Sequence, residues 1–139
     1  MSPGRLQNAG LRVWIAPGTA TGVLVGIHLL PGSDLNLGMQ WPLDVIDKVF
    51  HAIAFAGCGL TWVVALAKQR KLQSGWKLEG AVLLGSLVLG TVLEYVQDAW
   101  MSERMFDWMD VFADVFGAGG ALGVFFAIFG HRPGRIASD

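Results

Sequence analysis

Four apolar runs, Val13 to Leu30, Val49 to Ala67, Leu78 to Val96 and Val111 to Phe129, dominate the chain. Each is close to the ~20 residues that a helix needs to cross the hydrocarbon core of a bilayer. In that medium every backbone N–H and C=O must be paired within the protein, which leaves helices or a closed barrel. Runs of this length, without strict alternation, favour helices. The pattern therefore predicts an all-α chain, a four-helix transmembrane bundle over about 13–30, 49–67, 78–96 and 111–129. Composition agrees: 53% of the 139 residues are hydrophobic and only 15% are charged, and the mean hydropathy is +0.51, unlike an ordinary soluble globule. The joining segments are short and polar, with no repeat and no long linker, so a single domain is expected. The first run carries Pro17 and Gly18 near its start. It exceeds the roughly 7 to 15-residue apolar core of a signal peptide and is read as a retained helix.

Charge is informative by position. The net charge of -1 carries no basic patch that would speak for a nucleic-acid partner. Eight of the ten basic residues, Arg5, Arg12, Lys68, Arg70, Lys71, Lys77, Arg132 and Arg135, flank the first run, join the second to the third, or follow the fourth. Basic residues are retained on the cytoplasmic side, so both termini are expected there. Lys48 and Arg104 fall on the opposite side, together with most of the acids. Trp14 and Trp76 lie near the inner boundary and Trp41, Trp100 and Trp108 near the outer one, where amphipathic rings sit at headgroup level. The lone Cys58 lies within an apolar run and reads as packing.

The segment E-R-M-F-D-W-M-D-V-F-A-D-V-F-G, residues 103 to 117, carries acids into the fourth run. In a helix starting near Phe106, Asp107, Asp110, Asp114, Gly117 and Ala121 share one stripe, because steps of three and four return to the same face. Asp114 then lies about 6 Å deeper than Asp110. The second run is preceded by D-K-V-F-H, which sets Asp47 at the boundary and His51 one turn deeper. The third ends in L-E-Y-V-Q-D, with Glu94 about a turn below Gln97 and Asp98. Three helices thus deliver polar groups to one level under the outer boundary. Intramembrane ionisable groups cost at least roughly 2.5 to 3.5 kcal/mol each on insertion scales, so they face the interior and mark a site.

At these residues the chain resembles the VanZ-like family of small bacterial membrane proteins, named for a teicoplanin-resistance protein. D-K-V-F-H at 47 to 51, followed by A-I-A-F, resembles that family's D-K-x-x-H. E-Y-V-Q at 94 to 97 resembles its E-x-x-Q, and R-M-F-D-W-M-D-V-F-A-D-V-F-G at 104 to 117 its R-x-x-D-x-x-D-x-x-x-N-x-x-G. The resemblance runs from about Leu29 to Gly123, with L-L-P-G before the first outer segment also similar. Asp114 departs from the pattern, which has Asn at that position. The resemblance implies a multi-pass protein of the bacterial cytoplasmic (inner) membrane, linked in the founding case to resistance to a lipoglycopeptide acting outside it. It implies no settled reaction, and it leaves the cofactor unknown.

Read for chemistry, His51, Glu94 and Asp110 are candidate acid/base groups. Asp47, Lys48, Gln97, Arg104, Asp107 and Asp114 are candidate ligand-binding residues. Lys48 and Arg104 at the rim suit a phosphate or carboxylate of an anionic or lipid-linked envelope compound, or a lipoglycopeptide. No H-E-x-x-H or C-x-x-C marks a metal site, although oxygens beside one imidazole would also suit a divalent cation. The same groups could instead lock helices together, Arg104 with Asp107 and His51 with Glu94 or Asp110. His28 reads as a boundary histidine. Glycines on the second, third and fourth helices suit close helix packing, and leave room for an oligomer or a non-catalytic subunit of a larger membrane complex. The cluster Trp100, Met101, Met105, Phe106, Trp108 and Met109 suits contact with membrane lipid. Enzyme, binder and structural subunit stay open at this level.

Overall fold

The structure, a computed structural model, describes residues 11–29, 43–68, 75–101 and 105–130. These are helical, in four elements: α1 (Ile15–His28), α2 (Leu43–Ala67), α3 (Gly75–Trp100) and α4 (Trp108–Phe129). Three of them, over Val45–Ala67, Trp76–Trp100 and Trp108–Phe129, are long and apolar enough to cross a membrane.

The helices depart from the apolar runs at their ends. α1 has 14 residues, about 21 Å at the usual rise, shorter than the run 13–30 promised. Before it, Leu11 and Arg12 are helical and Val13 and Trp14 form a turn, closed by Trp14 N–H donating to Leu11 O. Three residues after Trp14, Pro17 brings no N–H to bond back to Val13, and the helix is interrupted at that turn. The helix closes where Leu29 N–H donates to Val25 O, just before Leu30–Pro31, a pair unfavourable to continued helix. α2 instead starts six residues ahead of its apolar run, so that D-K-V-F-H lies wholly on the helix. α3 outruns its apolar run at both ends. α4 begins at Trp108 because Asp107, in extended conformation, caps it by accepting from Met109 N–H. Asp107 is therefore the cap of the helix rather than a member of its stripe.

Contacts along the helices fix their directions. Trp62 Nε1 on α2 donates to Thr21 Oγ1 on α1, and His51, near the start of α2, meets His28 at the end of α1 edge-on; α1 and α2 run oppositely. Along α2 and α4, His51 meets Asp114 and Gly59 meets Ala118 and Ala121, so these two run together. Val63, Ala67, Leu78, Val82, Ala118, Leu122 and Phe125 form an apolar core between α2, α3 and α4. Leu24, Phe55, Cys58 and Leu93 form a second one that brings in α1.

Close approach of α2 and α4 depends on one glycine. A Cβ at Gly117 would overlap the backbone carbonyl of Ala52, so only a residue without a side chain lets the helices cross there. Gly90 plays a similar part on α3, where a Cβ would run into the Asp114 carboxylate. Packing does not use every glycine: Gly57, Gly80, Gly85, Gly119, Gly120 and Gly123 have nothing within 4 Å of an added Cβ. Large apolar side chains, including Ile53, Leu84, Val88, Val92, Phe116 and Ile128, point outward.

Candidate functional site

The Ala52–Gly117 crossing sets the site, because each partner has a polar neighbour on the same side. His51 precedes Ala52, and Asp114 lies three residues before Gly117. His51 Nδ1 donates to Asp114 Oδ1 across 2.9 Å. On the other side of the ring, Nε2 stands 4.0 Å from Asp110 Oδ2. Asp110 and Asp114 are one turn apart on α4 and therefore reach the two nitrogens of a single imidazole.

The other helices close around this pair. His28, at the end of α1, lies edge-on to His51 with ring centroids 4.6 Å apart and edge-on to Phe55. Its Nδ1–H donates to Leu24 O at 2.8 Å, which leaves Nε2 as the lone-pair nitrogen of the ring. From α3, Gln97 Nε2 donates to His28 O. Glu94 Oε2 accepts from Asp107 N–H at 3.1 Å. Relative exposures are 0% for Asp114, 1% for Glu94 and Gln97, 3% for Asp110, 4% for His51 and 6% for His28. Such polar groups sit inside while large apolar ones face out, the reverse of a water-soluble helix bundle.

Nearer the rim, Lys48 Nζ bridges two acids, donating to Asp107 Oδ2 at 2.8 Å and to Asp110 Oδ1 at 3.2 Å. That hydrogen bond from Lys48, with the one from Met109 N–H, holds the Asp107 carboxyl below the ordinary carboxylate value. Asp98 Oδ1 accepts from Phe106 N–H, which pins the approach to α4 against the end of α3.

Eight of the residues singled out in the sequence are thus brought to one end of the fold: Asp47, Lys48, His51, Glu94, Gln97, Asp107, Asp110 and Asp114. Arg104, and with it an Arg104–Asp107 pair, lies outside the described residues. Asp107 is held by Lys48. The hydrogen-bond partner of His51 is Asp114, and Glu94 meets the backbone at Asp107. His28 is the functional candidate that sequence reasoning set aside. Its signal was an imidazole at the end of an apolar run, where an intramembrane ionisable group already asks for a partner.

The arrangement suits proton transfer, with one imidazole held between two carboxylates, and it suits cation binding. Ligand atoms of His28, His51 and Asp114 lie within 4.8 Å of one another, as do those of Asp47, His51 and Asp110. Fold and site together define the class: an all-helical protein with three helices of membrane-crossing length and a buried histidine–carboxylate cluster at one end. No protein-family model, curated protein or solved structure matches the chain.

Proposed function

We propose that the chain is a multi-pass, VanZ-like protein of the bacterial cytoplasmic membrane whose histidine–carboxylate cluster binds or acts on an anionic or lipid-linked envelope compound. In this reading the four helices form a transmembrane bundle with both termini in the cytoplasm, and the cluster opens to the outer face. α1 completes the bundle with the helical turn that precedes it, while Arg12 reaches to the headgroups. The observation that carries the reading is the burial of His51, Glu94, Asp110 and Asp114 at one level of helices long enough to span. Buried charge is costly there and is retained for use.

A second reading has its own observation. Lys48 with Asp107 and Asp110, and His51 with Asp114, are already paired inside the chain, as a structural lock in a non-catalytic subunit would be. The variants His51→Gln, Glu94→Gln and Asp110→Asn keep shape and hydrogen bonding and separate the two. A site predicts protein of near-normal thermal stability in detergent and a lost envelope phenotype, measured as glycopeptide susceptibility. A lock predicts a loss of about 3 to 5 kcal/mol, because breaking a buried pair strands its partner.

A further inference from the structure

The cluster, read as a functional site, has the geometry of a metal centre, and we infer that His28, His51 and Asp114 hold a divalent transition-metal ion. Their candidate donor atoms lie within 4.8 Å of one another, and all three residues are buried. Donors around one such ion stand about 2.0 to 2.2 Å from it. The 2.9 Å between His51 Nδ1 and Asp114 Oδ1 is therefore the spacing of two neighbouring ligands, with the ion taking the place of the proton now between them. His28 is oriented for the third position, because Leu24 O holds its Nδ1–H and fixes Nε2 as the coordinating nitrogen. A backbone carbonyl behind a ligating imidazole is the usual outer-shell support. Asp110, 4.0 Å from His51 Nε2, stands where a carboxylate would take up the N–H on the far side of the ligating ring.

An independent observation points the same way. Asp114 is fully buried; its Oδ1 faces His51, while its Oδ2, on the Gly90 side, has no hydrogen-bond partner among the described residues, so the carboxylate as a whole has little to balance its charge. A buried carboxylate in that state is costly, and an ion bound at Oδ1 would supply the missing positive charge. Two imidazoles and one carboxylate suit zinc, iron or a neighbouring first-row ion rather than calcium or magnesium. Three protein donors also leave a coordination position open for a ligand. The overlapping set Asp47, His51 and Asp110 offers one imidazole only, and Lys48 Nζ already stands 3.2 Å from Asp110 Oδ1, where its charge opposes a second cation.

The test is equilibrium dialysis of the full-length protein, purified in detergent and stripped with a chelator, against zinc and, separately, calcium. The expected result is one equivalent of zinc retained, no calcium, and a zinc-dependent rise in thermal midpoint. Asp114→Asn, which is isosteric, and His28→Gln should each weaken zinc binding by about tenfold or more, and Glu79→Gln, near the opposite end of α3, should leave it unchanged. The midpoint in the absence of zinc identifies any variant that has failed to fold. Absence of stoichiometric zinc, zinc bound equally by folded Asp114→Asn and His28→Gln, or dependence on Asp47 in place of His28 would each overturn the assignment. Failure here is distinct from failure of the functional reading: a metal-free protein whose cluster variants still lose the envelope phenotype sinks only the metal, and a zinc-binding protein whose variants keep the phenotype sinks only the function.

Discussion

His51 touches two carboxylates and a second imidazole from a buried position, so its neighbours decide what the cluster can do. At the rim the roles are simpler. Lys48 holds Asp107 below its ordinary value of 3.8, so the pair contributes stability that is fully present above that value and is lost as pH falls through the lower folded value. Asp107 is 40% exposed at its side chain, and the contribution is correspondingly small. Lys48→Met is expected to raise the Asp107 titration midpoint toward 3.8, followed by carboxyl-resolved NMR in detergent; an unchanged midpoint would mean that Lys48 does not hold this acid. The residues legible in advance were those with a partner on their own helix. Asp47 and His51, Glu94 and Gln97, and Asp110 and Asp114 each repeat at three or four residues, and the repeat places them on one face. His28 has no such companion in I-H-L-L-P, and its role depends on α1 packing on α2.

At the scale of elements, the α2–α4 crossing positions the His51–Asp114 pair. Gly117→Ala places a methyl group against the Ala52 carbonyl. It should cost about 1 to 3 kcal/mol of stability, as overpacking does, and should separate His51 from Asp114. Gly57→Ala is the control, because an added Cβ there meets open space; it should be neutral or slightly stabilising, since Ala is the better helix former. Thermal unfolding in matched detergent checks both, and equal midpoints for the two variants would remove the crossing from the account. The four apolar runs made four helices and their order plain, because long apolar runs leave few alternatives, and three of the four have the length and composition to cross a membrane. Their ends were less legible: D-K-V-F-H and the cap at Asp107 are polar, yet both belong to the helical architecture. The sequence offered His51 two partners, Glu94 and Asp110, and the second does stand beside it at 4.0 Å; that Asp114 takes the hydrogen bond was beyond pattern, because it depends on where Gly117 lets two helices meet.

For the molecule as a whole, apolar side chains line the outside and the polar cluster gathers at one end. The basic residues Lys68 and Lys77 fall toward the other end, at the finish of α2 and the start of α3. This asymmetry underlies the central claim, that the cluster lies within the membrane and opens to its outer face. Cysteine labelling with a membrane-impermeant reagent in intact cells tests it directly, in a Cys58→Ala background that removes the one native thiol. A cysteine placed at Asn36 or at Ser102 should be labelled, and one at Ser74 should be labelled only after the cells are opened. Labelling of Ser74→Cys in intact cells, with Asn36→Cys and Ser102→Cys protected, would contradict the account by turning the cluster toward the cytoplasm.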